Sequence, residues 1–358
     1  MSVPAPRTRY AAGRDEVAAL LESWGEPKYR TNQTWEALLA PRPLDEATSL
    51  PRALRDRLAA ALPLALDLAT SSTASDEMTT KWLWTCARDG AQVETVLMRS
   101  PTRATVCVSS QAGCAMGCTF CATGQAGFER HLDEGEIVEQ VARATHAAPQ
   151  RVSNVVFMGM GEPLANYDNT WAAVERLHGD FGISARRITV STVGVVPGIR
   201  RLATEGLPVT LAISLHAPDD ALRDQLVPLN RRYPIAEVLD AAADFAGAHG
   251  RRITFEYACI AGVNDHVEQA DRLGGLLHTF PGAGGAHVNL IPLNATAEYK
   301  GRAAPAARLR AFADRLAARG VTATVRRNRG TDIDAACGQL RARMAIPVAP
   351  PSSTRMSP

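Results

Sequence analysis

From Ala104 to Ile291 the chain alternates short β-branched runs with longer stretches whose apolar residues recur at helical spacing. The runs are Ala104–Ser109, Asn154–Met158, Arg187–Thr192, Pro208–Leu215, Arg252–Cys259 and Ala286–Ile291, and each is read as a strand. Asp133-Glu-Gly-Glu136 supplies an N-cap residue and a glutamate three positions on, opening a helix that carries Ile137, Val138 and Val141. Strands separated by helices predict an α/β fold with a parallel sheet and right-handed crossovers. Roughly six such units can curl into a partial (β/α) barrel, whose chemistry gathers at the strand C-terminal ends.

The first ninety or so residues read differently, as mostly helical and polar, with helical spacing in Thr34–Leu39 and Leu50–Leu58. The expected organisation is a small N-terminal helical accessory domain over residues 1–95 and a catalytic partial barrel over 96–345. A tail over 346–358, without periodicity, is expected to be disordered.

Composition narrows the class. The chain has 358 residues, enough for a large core, and its seven cysteines are an odd number without a secretory apolar segment ahead of them. A reducing cytoplasm is therefore expected rather than a disulfide framework. No apolar run reaches the roughly 20 residues that span a bilayer, so no membrane partner is expected. The net charge is only +2, but arginines cluster at 186–187, 200–201, 231–232, 251–252 and 326–329. Such clusters can meet phosphates, although lysine is scarce and arginine abundant throughout, so charge alone leaves RNA binding open.

The sharpest signal is Cys114, Cys118 and Cys121, at Cys-x3-Cys-x2-Cys spacing in a glycine-rich loop after the first strand. Three thiolates can hold three irons of a 4Fe-4S cube and leave the fourth open to a small molecule. A structural zinc site needs a fourth ligand, and none follows closely; His131 and Cys107 are the nearest candidates. With Phe120 between the last two cysteines, the run reads as that of a radical S-adenosylmethionine (SAM) enzyme.

Other candidates fall at the ends of the remaining strands: Gly161 and Glu162 after the second, Ser191 at the third, Ser214, Leu215 and His216 at the fourth, and Asn294 after the sixth. Gly159-Met-Gly-Glu162 lacks the third glycine of a dinucleotide loop. A glutamate beside bare glycine backbone can instead accept from the ammonium of SAM, with the serine hydroxyls and the Asn294 amide bonding its polar edges.

From roughly Gly25 to Arg343 the chain resembles the radical SAM RNA adenine-C2 methyltransferases. The resemblance runs through Gly25-Glu-Pro-Lys-Tyr-Arg30, Val93-Glu-Thr-Val96, Cys107-Val-Ser-Ser-Gln-Ala-Gly-Cys114, Phe157-Met-Gly-Met-Gly-Glu-Pro163, Ser214-Leu-His-Ala217, Gly262-Val-Asn-Asp265, Asn289-Leu-Ile-Pro292 and Asp332-Ile-Asp-Ala-Ala-Cys-Gly-Gln339. It implies an enzyme that methylates C2 of an adenosine in 23S rRNA and of the adenosine 3′ to the anticodon in tRNA, using a 4Fe-4S cluster and two SAM per methyl group. It also implies that Cys337 carries the methyl group as S-methylcysteine and that Glu94 accepts a proton. Cys107 would be the resolving thiol, leaving a transient Cys107–Cys337 disulfide that an electron-donor protein and reductant reset. The N-terminal segment would dock RNA, with Arg30 and Arg52 as candidate phosphate contacts, and the enzyme would work as a cytoplasmic monomer.

Three alternatives stand beside this. One is the sister enzyme that methylates adenine C8, against which Pro163 and the N-terminal match weigh. The second is a zinc-dependent, non-catalytic RNA-binding module closed by Cys107, Cys114, Cys118 and Cys121, which leaves Glu162, Ser214, Asn294 and Cys337 unexplained. The third is a radical SAM enzyme for a small molecule.

Overall fold

The computed structural model describes residues 7–40, 42–282, 285–296, 298–326 and 328–340. The tail expected at 346–358, and Arg327 of the last arginine cluster, lie outside the described residues.

Three short helices open the chain: α1 (Arg14–Ser23), α2 (Arg30–Leu39) and α3 (Arg52–Ala61). They close on a small core of their own, in which Val17, Leu21, Leu38, Leu54 and Leu58 are buried. Three antiparallel strands follow, β1 (Leu66–Thr73), β2 (Thr79–Cys86) and β3 (Gln92–Ser100), and β3 pairs antiparallel with β4 (Arg103–Cys107). The helical reading of the first ninety residues thus holds only to Ala61. Beyond it, Trp82, Trp84, Val93 and Thr95 are placed by strand alternation, and a boundary at residue 95 would cut through β3.

From β4 the sheet turns parallel. It continues through β7 (Val152–Phe157), β8 (Ile188–Thr192), β9 (Thr210–Ser214), β10 (Ile253–Cys259), β11 (Ala286–Pro292) and β12 (Thr322–Val325), each beside its predecessor in a ten-stranded sheet. The six expected strands are all present within a residue or two of their expected limits. β12 is a seventh parallel strand that was not expected. A separate two-stranded ribbon, β5 (Gln111–Gly113) with β6 (Phe128–His131), encloses the cysteine loop and the short α4 (Ala122–Ala126).

Helices fill the crossovers: α5 (Glu134–Ala147), α6 (Tyr167–Gly179), α7 (Val196–Ala203), α8 (Asp220–Leu226), α9 (Ile235–His249), α10 (Val267–Leu277) and α11 (Ala306–Ala318). α5 begins where the capping box predicted, Asp133 accepting from the Glu136 amide at 2.9 Å and Glu136 from the Asp133 amide at 2.9 Å.

Strand alternation separates two jobs. Val106, Val155, Phe157, Ile188, Val190, Leu211, Ile213, Phe255, Tyr257, Val288 and Leu290 are buried in the main core. Thr105, Asn154, Thr189, Thr210, Thr254, Asn289 and Thr324 alternate with them and line an inner cavity of about 530 Å³. The barrel is sealed by its apolar outer face, while its interior is polar.

Candidate active site

The inner cavity runs along the parallel strands, from Thr210 at the start of β9 to Asn294 beyond β11, and joins a second space at their C-terminal ends. The second, of about 160 Å³, is walled by Cys114, Cys118, Cys121, Gly161, Glu162, Ser191, Ser214, His216, Asn294 and Cys337. Every expected cluster and SAM residue except Leu215, which is fully buried beneath it, therefore faces one chamber. Met158, Glu256, Ile291, Asn294, Arg326 and Cys337 belong to both walls.

The cysteine loop is wound by its own backbone. The Cys114 amide donates to the Gly127 carbonyl at 2.7 Å and the Cys121 amide to the Cys118 carbonyl at 3.1 Å. Gly113 has φ +73°, and a Cβ there would fall 2.1 Å from the Gly127 carbonyl oxygen, so no other residue fits. Burial pushes the Cys114 thiol up to about 12 and Cys118 well above the ordinary thiol range, with the neighbouring thiols adding to both effects.

Thiols so placed stay protonated until a cationic centre takes their charge. Among the described residues no three such side chains converge tightly enough to hold a single metal ion. Ligands of one zinc must converge, whereas a 4Fe-4S cube takes each thiolate at a different corner. The three thiols of this loop share the chamber wall, as a cube held at three corners requires, while Cys107 lines only the larger cavity.

Glu162 is buried, and its two oxygens accept from the Leu164 amide at 3.0 Å and the Val193 amide at 2.9 Å. Burial still dominates and raises its pKa to about 7. Gly161 (φ +98°) lies so close to Gln111 that a Cβ would approach its side chain to 2.5 Å. His216 also takes a left-handed backbone, φ +62°, which costs about 1–3 kcal/mol in a non-glycine residue. Its Nδ1 accepts from the Ala258 amide at 3.0 Å, which leaves the proton on Nε2, and burial holds its pKa down at about 3. His216 is a neutral donor in the chamber.

Cys337 sits on the segment after β12. Its carbonyl accepts from Asn294 Nδ2 at 2.9 Å, the next carbonyl, of Gly338, from the Ala122 amide at 2.8 Å, and that of Leu340 from Thr123 Oγ1 at 2.7 Å. The segment is thereby pinned to the helix that follows the cysteine loop. Cys107 ends β4 and lines the larger cavity with Cys337; burial lifts its thiol to about 12, the charge of Cys337 adds to this, and Arg326 opposes it.

Glu94 lies on β3, on the face that also presents Val96 and Met98 to the cavity, but it is not itself part of that wall. It is buried and paired with Lys81 Nζ at 2.9 Å, and Lys81 also donates to the Asp334 carbonyl at 3.2 Å.

Several contributors were given no site role by the sequence, although Ser109 and Asn264 lie within the matched motifs and Arg326 within an arginine cluster. Arg223, fully buried, donates to the carbonyls of Leu215 at 3.0 Å and Val193 at 2.5 Å and to Asn230 Oδ1 at 2.8 Å, tying together the ends of β8 and β9. Asn264 donates to the His216 carbonyl at 2.8 Å and the Ala258 carbonyl at 2.7 Å. Ser109 donates from Oγ to the Glu94 carbonyl at 2.6 Å and accepts from the Met160 amide at 2.9 Å. Glu256 and Arg326 stand on the shared wall. Arg30 and Arg52, by contrast, lie on the small helical unit, Arg30 donating to Gln33 at 2.7 Å and Arg52 exposed beside Asp56.

Residues 108–273 match the Radical SAM superfamily. A crystal structure of a radical SAM methyltransferase from Sphaerobacter thermophilus superposes with a TM-score of 0.88 at 47% identity, covering 94% of this chain and all of that one. A protein named as a probable dual-specificity RNA methyltransferase RlmN from Parafrankia sp. is 53% identical over 95% of this chain and 93% of its own length. Another so named, from Mycobacterium bovis, is 52% identical over 93% of each. The fold and its thiol chamber define a radical SAM enzyme. Within that class, the chain belongs to the SAM-dependent RNA methyltransferases of the dual-specificity RlmN family, which work with a 4Fe-4S cluster and SAM.

Proposed function

We propose that this protein methylates C2 of adenosine in 23S rRNA, and of the adenosine 3′ to the anticodon in tRNA, by way of a methyl group carried on Cys337. The observation that carries the reading is the position of Cys337 on the wall between the thiol chamber and the larger polar cavity, with Cys107 lining that cavity too. The bound cluster and SAM supply a methyl electrophile and a hydrogen-abstracting carbon radical, which the unreactive C2 carbon requires.

The chain's own residues then have distinct tasks. Asn294 fixes the backbone of Cys337, so that its sulfur meets one partner in each space. Glu162 and the neutral His216 bind the polar atoms of SAM beside the cysteine loop, together with Gly161, Ser191 and Ser214. Glu94 takes the C2 proton from the adduct of Cys337 with adenine. Attack by the Cys107 thiolate on the Cys337 sulfur forms the S–S bond as the carbon–sulfur bond breaks, the released carbon taking up a proton to become the methyl group, while the adduct's unpaired electron would pass to the bound cluster. An external electron donor reduces the disulfide again.

The helical unit of residues 14–61 docks the RNA, and the enzyme acts as a cytoplasmic monomer. Among the described residues no helix is long and apolar enough to cross a membrane. The test is anaerobic reconstitution with methyl-labelled SAM, a reductant and protein-free 23S rRNA or tRNA, followed by nucleoside mass spectrometry. Formation of 2-methyladenosine, abolished by Cys337→Ala, supports the reading; 8-methyladenosine in its place overturns it.

A further inference from the structure

The arginine clusters of the sequence meet different fates. Arg200 is paired with Asp240 at 2.6 Å and Asp244 at 2.5 Å, and Arg201 with Asp168 at 2.7 Å. Arg232 lies over the Tyr233 ring, Arg326 joins the active-site wall, and Arg329 donates to the Arg99 carbonyl at 2.8 Å. Arg186 and the Arg251-Arg252 pair differ in being gathered around one hollow. They approach one another at the N-terminal ends of β8, β9 and β10, around a cavity of about 370 Å³ lined by Arg186, Thr210, Gly250, Arg251, Arg252 and Thr254.

No carboxylate lines this cavity, and among the described residues none of the three arginines has an ion-pair partner. Arg251 Nη2 donates to Thr210 Oγ1 at 2.6 Å, while its buried Nε has no hydrogen-bond partner. Burial and the neighbouring Arg186 charge both push the Arg251 guanidinium down from its usual range. Arg252 likewise acts, after burial, to lower the pKa of His287. Uncompensated positive charge around a polar hollow, with the buried Arg251 Nε lacking a partner, is what a polyvalent anion relieves.

We propose that the base of the barrel is a binding site for a phosphate group, held by the guanidinium groups of Arg186, Arg251 and Arg252 with the hydroxyl of Thr254. The site opens at the N-terminal ends of the strands, and Thr210 and Thr254 line both this hollow and the inner cavity. Arg186, Arg251 and Arg252 line neither of the two spaces that Cys337 borders. The phosphate belongs either to a free phosphorylated small molecule or to a flanking stretch of RNA backbone.

Calorimetric titration of the full reconstituted chain with pyrophosphate at low salt tests this. Saturable binding is expected, about tenfold weaker in Arg251→Ala and in Arg252→Ala and unchanged in Arg200→Ala. Arg252 is exposed and donates no side-chain hydrogen bond, so its variant stands if Arg251→Ala folds poorly.

RNA binding measured against salt then separates the two sources. If RNA supplies the phosphate, pyrophosphate competes with RNA, and Arg252→Ala flattens the log–log salt slope by about 0.7–0.9. If a free phosphate is the ligand, RNA affinity stays the same in variants that have lost pyrophosphate. Absence of saturable pyrophosphate binding together with unchanged RNA binding overturns the proposal, as does an equal loss in Arg200→Ala.

Discussion

Asn294 donates from Nδ2 to the backbone carbonyl of Cys337 at 2.9 Å, while its Oδ1 accepts from Asn328 Nδ2 at 2.5 Å. The amide expected to contact SAM also fixes the cysteine proposed to carry the methyl group. Asn294→Ala should therefore free the Cys337 segment without unfolding the barrel. Methyl transfer to RNA is expected to fall tenfold or more, and alkylation of Cys337 by iodoacetamide, read by peptide mapping, to quicken. Unchanged alkylation would mean that the hydrogen bonds to Ala122 and Thr123 hold the segment alone.

Lys81 and Glu94 form a buried ion pair at 2.9 Å, so removing the ammonium weakens the compensation of a buried carboxylate. Lys81→Met should destabilise the fold by about 1–3 kcal/mol, with part of the loss recovered in the Lys81→Met, Glu94→Gln double variant. Denaturant unfolding of the parent, Lys81→Met, Glu94→Gln and the double variant measures this coupling. Additive losses would show that the pair contributes nothing as a pair.

Burial lifts the Cys107 thiol to about 12, so it is protonated at neutral pH. Its alkylation rate should climb about tenfold per pH unit between about pH 7 and 10, without a plateau. Arg326 is the group opposing that upward shift, so Arg326→Gln should slow the reaction at every pH in this range. A plateau near pH 8 would contradict this view of the thiol.

Glu139, buried where α5 meets the start of β1, accepts from the amides of Ala65 at 2.7 Å and Leu66 at 3.3 Å, yet burial raises its pKa to about 7. A carboxyl whose folded pKa is raised contributes stability that is complete below its unfolded value, near 4.5, and lost as pH rises through about 7. The full shift corresponds to about 3 kcal/mol. The stability of Glu139→Gln should depend less on pH across this window, as judged from denaturation midpoints; parallel curves for variant and parent would reject the assignment.

Loss of any one of Cys114, Cys118 and Cys121 to alanine should abolish the iron–sulfur absorbance after reconstitution, whereas Cys107→Ala should retain it. With RNA and SAM, the Cys107→Ala variant should accumulate a covalent protein–RNA species, visible as a shifted band that nuclease removes. Loss of the cluster in Cys107→Ala would favour its role as a metal ligand.

The parallel strands were legible because their β-branched runs are short, punctuated and separated by helices of regular spacing. Placing the motifs at their C-terminal ends followed from that alone, and Glu162, Ser191, Ser214 and Asn294 do face one chamber. β1 was missed because it is exposed along most of its length, and β2 and β3 because both of their faces are buried, from Trp82 to Trp84 and from Val93 to Leu97, which leaves no polar–apolar alternation to read. β12 was missed for a similar reason: Thr322–Val325 is short and largely exposed at the sheet edge. Arg223, Asn264 and Ser109 bind backbone carbonyls and amides, and no spacing in a sequence announces which carbonyl a side chain will find. Lys81 and Glu94 meet across two antiparallel strands whose pairing was itself unforeseen.

The division of each barrel strand between an apolar outer row and a polar inner row also bears on how such a protein changes over time. Substituting Ile188 or Phe255 damages packing that every copy needs, whereas exchanging Thr189 or Thr254 alters only what the hollow interior presents. Thermodynamic constraint and chemical constraint fall on alternate letters of the same word. New substrate preferences can therefore accumulate along the inner row while the outer one stays fixed, and a lineage can explore chemistry without first having to become more stable.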